Sequence, residues 1–215
     1  MCRASLVYYG EVIRKIIIRK VNSMEIINRT IKPVYREYIN KSSELVEKVF
    51  TEYEDEKEGK KVRALVEEIR SKKYYIPELD LMAVDDNEEI IGYAMFSKFH
   101  LEGKYEDELL ILTPVAVRTD LQRQHISKDL IEYGFNKAKE LGYKAVLVEG
   151  NPKNYNSRGF VTSSDYGIVP GKNVHLPKIE CLMVKELVPG ALESIKGTVD
   201  YSFYKVLEEE EKERE

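Results

Sequence analysis

Apolar positions recur along this chain with two periods, and the switching between them outlines strands and helices in turn. Leu79, Leu81 and Ala83 alternate with polar Asp80 as far as the turn residues Asp85-Asp86-Asn87, and an apolar run resumes over 90–99. That arrangement predicts a hairpin. Residues 109–117 (LLILTPVAV) are apolar almost throughout and predict a fully buried strand. Ile126, Leu130, Ile131, Phe135 and Ala138 then form one helical stripe within 122–141, and Gly142 stands where a left-handed C-terminal cap is expected. A second buried strand follows over 144–149 (KAVLVE). Strand, helix and strand in that order predict a parallel pair joined by a crossover.

The flanking regions are read the same way. A short strand is expected over 24–30, then a helix opened by Pro33 with Val34, Tyr38, Leu45, Val46 and Phe50 on its apolar face. A charged loop with a glycine over 54–61 precedes a helix over 62–72 carrying Leu65, Val66 and Ile69. A polar loop is expected over 101–106, and later strands over 161–168, 179–187 and 199–207. The whole is an α/β (α+β) fold, helices on a mixed sheet with one parallel pair at its centre.

Length and charge change this picture little. With 215 residues, 43% hydrophobic and 33% charged, the chain has the size and composition of one soluble domain. Its domain is expected over 24–207. Residues 1–23 read as an N-terminal extension carrying five bases against Glu11, and 208–215 as an acidic, disordered tail with six acids against two bases. Between these ends the signs are interspersed, so no basic stripe offers itself to nucleic acid. No apolar run is long enough to span a bilayer, and Ile16-Ile17-Ile18 is too short for a secretory signal. The two cysteines, Cys2 and Cys181, fit neither a disulfide framework nor a zinc site, which favours a reducing, cytoplasmic setting without a metal. Edge strands and the C-terminal section offer surfaces on which a homodimer could form.

Several chemistries leave no trace. The chain has no glycine-rich dinucleotide fingerprint, no GK[ST] loop, no HExxH and no GxSxG, and His100, His125 and His175 are scattered. What it does have is a buried strand ending in Pro114-Val115-Ala116-Val117, a short turn, and Gln122-Arg123-Gln124-His125-Ile126-Ser127-Lys128 opening a helix. The first turn of a helix carries backbone N–H groups without intrahelical partners at the positive end of the helix dipole, which suits a phosphate or pyrophosphate. On physical grounds alone a polar helix start at the surface reads equally well.

The run PVAVRTDLQRQHIS resembles the central motif of the GNAT acetyltransferases, a Pro-Leu-Ala-Val-type strand followed by Gln/Arg-x-x-Gly-x-Gly/Ala, with no gap from Pro114 to Gln122. Three further stretches resemble a bacterial and archaeal branch with a longer C-terminal section: residues 77–84 (PELDLMAV), the segment from Gly150-Asn151-Pro152 through Tyr155 to Gly159-Phe160, and the closing region from Glu180 to Tyr201. The four lie in the family's order and cover about 24–207. The resemblance implies the GNAT acyl-CoA N-acyltransferase fold with a splayed parallel strand pair. It also implies acetyl-CoA (coenzyme A) as cofactor, its pantetheine arm on Val115, Ala116 and Val117 and its phosphates on Gln122, Arg123, Gln124, His125, Ile126, Ser127 and Lys128. Tyr155 falls where the family has the tyrosine that protonates the leaving thiolate.

One departure stands out. Where the family has two small residues this chain has His125 and Ser127. The histidine can turn away, donate to a phosphate, or obstruct the backbone's approach to it. The expected activity is transfer of an acetyl group to a primary amine of a small molecule or protein, by direct attack on the thioester. The competing expectation is a weakened or inactive GNAT module that binds CoA or a protein partner. Glu108 and Glu149 are conceivable bases, but each reads more simply as a solvated or capping acid, and the sequence assigns no base.

Overall fold

The computed structural model of the chain describes residues 27–207. The N-terminal extension at 1–23, the acidic tail at 208–215 and the opening of the strand expected from Met24 lie outside the described residues. In chain order the main elements are β1 (Thr30–Pro33), α1 (Ile39–Tyr53), α2 (Glu56–Arg70), β2 (Asp80–Val84), β3 (Ile90–Leu101) and β4 (Lys104–Val117). They continue with α3 (Ile126–Glu140), β5 (Ala145–Glu149), α4 (Pro152–Tyr155), β6 (Val161–Thr162) and β7 (Ile168–Pro170), and close with β8 (Leu182–Glu186), α5 (Ala191–Ser194) and β9 (Gly197–Val199). Seven strands form one sheet in the order β1-β2-β3-β4-β5-β8-β6, and β7 pairs with β9 apart from it. Within the large sheet only β4 and β5 are parallel.

Alternation along the strands divides the core into two faces. Leu109, Ile111, Ala145 and Leu147 look towards α1 and α2, packing with Val46, Leu65, Val66 and Ile69. Leu110, Leu112, Val146 and Val148 look towards α3, packing with Ile126, Leu130, Ile131 and Phe135.

Several boundaries differ from the sequence expectation, each for a local reason. Pro33 ends β1 rather than opening a helix, which an edge strand tolerates because a missing N–H there costs no ladder bond. The glycine of the expected charged loop lies inside α2, whose first turn is capped by the Asp55 carboxylate accepting from the Glu58 N–H at 2.8 Å. Gly59 serves a close approach, since a Cβ there would lie 2.6 Å from the Glu47 carbonyl oxygen of α1. The loop expected over 101–106 shrinks to a tight turn at Glu102-Gly103, both with positive φ, so β4 begins at Lys104. The run over 161–168 breaks into β6, a short 3-10 turn and β7. The closing run over 199–207 is not a strand beyond Val199. Its aromatic residues favour strand by propensity, but Phe203 and Tyr204 instead stack against Tyr74, at centroid distances of 5.0 and 6.4 Å.

One buried ion pair ties both N-terminal helices to the sheet. Asp80 is fully buried on β2, and its carboxylate accepts from Arg70 Nε at 2.8 Å and from the Tyr75 hydroxyl at 3.0 Å. The rest of the guanidinium donates to Ser42 and Ser43 of α1, each at 2.9 Å. Because nearly every donor and acceptor is used, the cost of burying the charges is offset. Replacing Asp80 by Ala strands the guanidinium without a counter-charge and is expected to lower the unfolding free energy by about 3–5 kcal/mol. Tyr75→Phe, which removes one hydrogen bond to the carboxylate, should cost about 2 kcal/mol. Urea denaturation of the two variants checks the ranking.

Candidate active site

The parallel pair at the sheet's centre does not stay zipped. β4 and β5 pair at Leu109↔Ala145, Leu110↔Val146 and Ile111↔Leu147, and there the pairing stops. On its other side β4 keeps β3, with a register shift that sets Thr113 and Pro114 against Met95 alone. This is a β-bulge, and it falls where Pro114 has no N–H to give to either neighbour. Beyond it the ladder resumes as Ala94↔Val115, Tyr93↔Ala116 and Gly92↔Val117, with the Arg118 N–H donating to the Ile91 carbonyl at 3.1 Å. In an antiparallel ladder the bonding side alternates. Ala116 therefore spends its N–H and C=O on β3, while Val115 and Val117 turn theirs into the gap beside β5. Of the three residues expected to hold the pantetheine arm, two have backbone groups facing the opening.

The turn after β4 leads to α3, which opens at Ile126 and not at Gln122 as expected from the sequence, because positive φ at Arg123 and His125 breaks a helical path through 122–125. Asp129 is the first residue whose N–H reaches back to a helix carbonyl, that of His125, at 3.0 Å. The amides of Ile126, Ser127 and Lys128 precede it, and no side chain caps them. Arg123 and His125 both have φ of 64°, in the left-handed region that glycine occupies without strain. The chain thus follows a glycine-type path through this turn while carrying side chains. His125, at the N-cap, is exposed and makes no capping hydrogen bond.

The remaining residues of the turn divide by burial. Ile126 packs into the core, so only its backbone is available to a ligand. Gln122, Arg123 and Lys128 are exposed, and Lys128 lies 3.7 Å from Glu132 one turn along the helix. Gln124 Oε1 is buried with no hydrogen-bond partner among the described residues. The first-turn acid Asp129, which would oppose a bound anion, is engaged by Arg29, whose Nε donates to it at 2.8 Å.

Tyr155, at the end of α4, packs on the same cluster as Val115, Val117 and Leu121. Its ring lies against the end of β5, where a Cβ on Gly150 would be 2.6 Å from Tyr155 Cε2. Burial raises the phenol's pKa, keeping it protonated at neutral pH, and the nearby Arg158 guanidinium opposes that shift. Arg158 is the residue that sequence reasoning missed. It donates to Ser127 Oγ at 3.0 Å and to the Asn154 carbonyl, and its guanidinium stands 5.9 Å from the Tyr155 ring centroid. It couples the helix start to the tyrosine. Thirty-one residues separate Arg158 from Ser127, so no local spacing could have announced the contact.

Glu108 and Glu149, the two carboxylates left open by the sequence, lie at opposite ends of the parallel pair. Glu108 is at the paired end, 2.6 Å from Lys144. Glu149 is at the splayed end, accepting from the Tyr201 hydroxyl at 3.1 Å. Among the described residues no three His, Cys, Asp or Glu side chains converge as metal ligands would, and no helix is long and apolar enough to cross a membrane.

Comparison with known proteins identifies the family and the fold. Residues 43–164 match the family model of the acetyltransferase (GNAT) family. The chain is 29% identical over 124 residues to the uncharacterized N-acetyltransferase YhbS of Escherichia coli K12, covering 57% of this chain and 71% of that protein. Its fold is similar to the crystal structure of the Escherichia coli YhbS protein in complex with CoA, with a TM-score of 0.71, 23% identity, and coverage of 81% of this chain and 90% of that one. It is also similar to a Brucella melitensis GNAT acetyltransferase in complex with acetyl-CoA, with a TM-score of 0.61, 22% identity, and coverage of 81% and 96%.

The left-handed backbone at His125 yields a stability prediction. Non-glycine residues in this region cost on the order of 1 kcal/mol or more, and histidine is among those that tolerate it best. His125→Gly is expected to raise the unfolding free energy by about 0.5–1 kcal/mol, read by urea denaturation.

Proposed function

Since the chain belongs to the GNAT acetyltransferase family, we propose that it transfers an acetyl group from acetyl-CoA to a primary amine of a small molecule or protein. The observation that carries this reading is the pairing of an unzipped β4–β5 edge with an uncapped helix start one turn further on. These two features fit the two halves of coenzyme A. The outward amide and carbonyl groups of Val115 and Val117 would pair with the amides of the pantetheine arm as a strand would. The N–H groups of Ile126, Ser127 and Lys128 would hold the pyrophosphate, with Arg123 and Arg158 adding charge-assisted donors. Gln122, Gln124 and His125 line the same turn, and the left-handed path at Arg123 and His125 supports tolerance of the histidine over obstruction.

Bound acetyl-CoA supplies an activated thioester, and the chain's residues orient it and move protons around it. N–H groups at the β4 edge would polarise the carbonyl and stabilise negative charge on its oxygen as the amine attacks. The Tyr155 hydroxyl, kept protonated by burial, would give its proton to the departing sulfur. Arg158 would stabilise the phenolate left behind.

The competing reading, a CoA-binding module without turnover, is separated by two measurements on the full chain. Calorimetric titration with acetyl-CoA should show saturable binding, and a thiol-release assay across a panel of primary amines should show turnover. Binding without release from any amine would favour the module. Tyr155→Phe is expected to lower kcat by about 100-fold or more while leaving acetyl-CoA affinity nearly unchanged.

A further inference from the structure

The splayed end of β5 carries a second ionisable group that the acyl-transfer reading has not yet used. Ala145 and Leu147 point towards α1 and α2, and strand alternation puts Glu149 next on that face. Tyr155 lies on the opposite face, with the α3 cluster. Pairing with β4 has ended at Leu147, so Glu149 borders the gap, while its other neighbour is Leu182 of β8. The carboxylate reaches solvent at the strand end, yet it is held. The Tyr201 hydroxyl donates to Glu149 Oε2 at 3.1 Å, and Tyr201 is itself fixed edge-on to Phe99 with ring centroids 6.0 Å apart.

We infer that Glu149 is the base that takes the proton from the acceptor amine, with Tyr201 as its positioning residue. This deepens the acetyltransferase reading and rests on it. The Glu149 carboxylate accepts a proton from the amine nitrogen as the nitrogen lone pair bonds to the thioester carbonyl carbon. The carbon–sulfur bond breaks with its electron pair leaving on sulfur, and Tyr155 on the other face protonates that sulfur. Glu149 then releases its proton to water and Tyr155 regains one, so the products are an amide and a free thiol with both residues restored.

The environment suits the role. Surrounding protein raises the Glu149 pKa, bringing it nearer to neutral pH than a free carboxyl. Two groups work against that rise, the Tyr201 hydroxyl from the closing section and the Lys61 ammonium from α2. A base acts only when deprotonated. Activity should therefore fall as pH drops through this raised pKa, giving an acidic limb above the ordinary glutamate range. Tyr201 bonds to the ionised form, so removing its hydroxyl should move the limb to higher pH.

The test follows thiol release from acetyl-CoA with primary amines, from mildly acidic to mildly alkaline pH, using amines of differing basicity. A limb that stays in place as the amine's own pKa changes belongs to the protein. Glu149→Gln is expected to lower kcat about 100-fold or more and to abolish that limb, with acetyl-CoA binding by calorimetry retained. Tyr201→Phe should lower kcat by less than Glu149→Gln does and shift the limb upward. Wild-type rate and an intact acidic limb in Glu149→Gln would overturn the assignment and leave the acetyltransferase reading standing. Should Glu149→Gln fail to bind acetyl-CoA, Tyr201→Phe decides, and an unmoved limb overturns the assignment. A wild-type chain that binds no acetyl-CoA, or releases thiol with no amine, overturns both.

Discussion

The arrangement at the centre of this molecule follows from one strand pair that cannot close. Backbone N–H and C=O groups in a sheet need partners, and leaving them bare in a protein interior is costly. β4 and β5 satisfy this rule as far as Ile111 and Leu147, then part where the Thr113-Pro114 bulge bends β4 away. The groups of Val115 and Val117 are left facing a gap, and an extended ligand with amides of its own can complete the ladder. The same divergence exposes the end of β5, with Glu149 on one face and Tyr155 beside the other.

The anion-binding role proposed for the α3 start would rest on backbone path more than on residue type. Glycine is the usual way to reach positive φ, yet Arg123 and His125 reach it here with side chains attached. What a phosphate would meet is the set of uncapped amides beyond them. The charges nearby are arranged to the same end. Arg29 engages Asp129, the one acid in the first turn, and Arg158 approaches through Ser127. A guanidinium beside the positive end of a helix dipole is unfavourable in isolation and favourable once an anion lies between them.

The parts of this structure that were legible in the sequence are those fixed by local periodicity. The α3 stripe, the β2–β3 hairpin and the buried β4 run all declare themselves within a window of about a dozen residues, because each is built to bury one face. Spacing from Pro114 to Gln122 pointed to this turn without glycines, but α3 itself opens later, at Ile126. What stayed hidden depends on approach between distant segments. Gly59 reads as a loop residue until α1 is seen lying against it, and Arg158 has no role until α4 folds back beside Ser127. The choice between Glu108 and Glu149 could not be made from position, because it turns on which end of the parallel pair opens.

The proposed acid and base draw on different parts of the chain. Tyr155 and Glu149 both lie within the stretch matched by the family model, but Tyr201, which orients Glu149, lies beyond it. Beyond β9 that closing section is held by α2 and by the turn that follows it. Glu68 accepts from the backbone N–H groups of Lys205 and Val206 at 2.8 and 3.0 Å, and Lys72 donates to the Phe203 carbonyl. Stacking of Phe203 on Tyr74 and His100 adds a packed anchor. The carboxylate on the acceptor side is therefore positioned by a segment whose own place depends on α2, the helix that also brings Lys61 towards it. Changes in the closing section, which packs on the opposite face of the sheet from α3, would bear on the proposed acceptor side before they reached the start of α3.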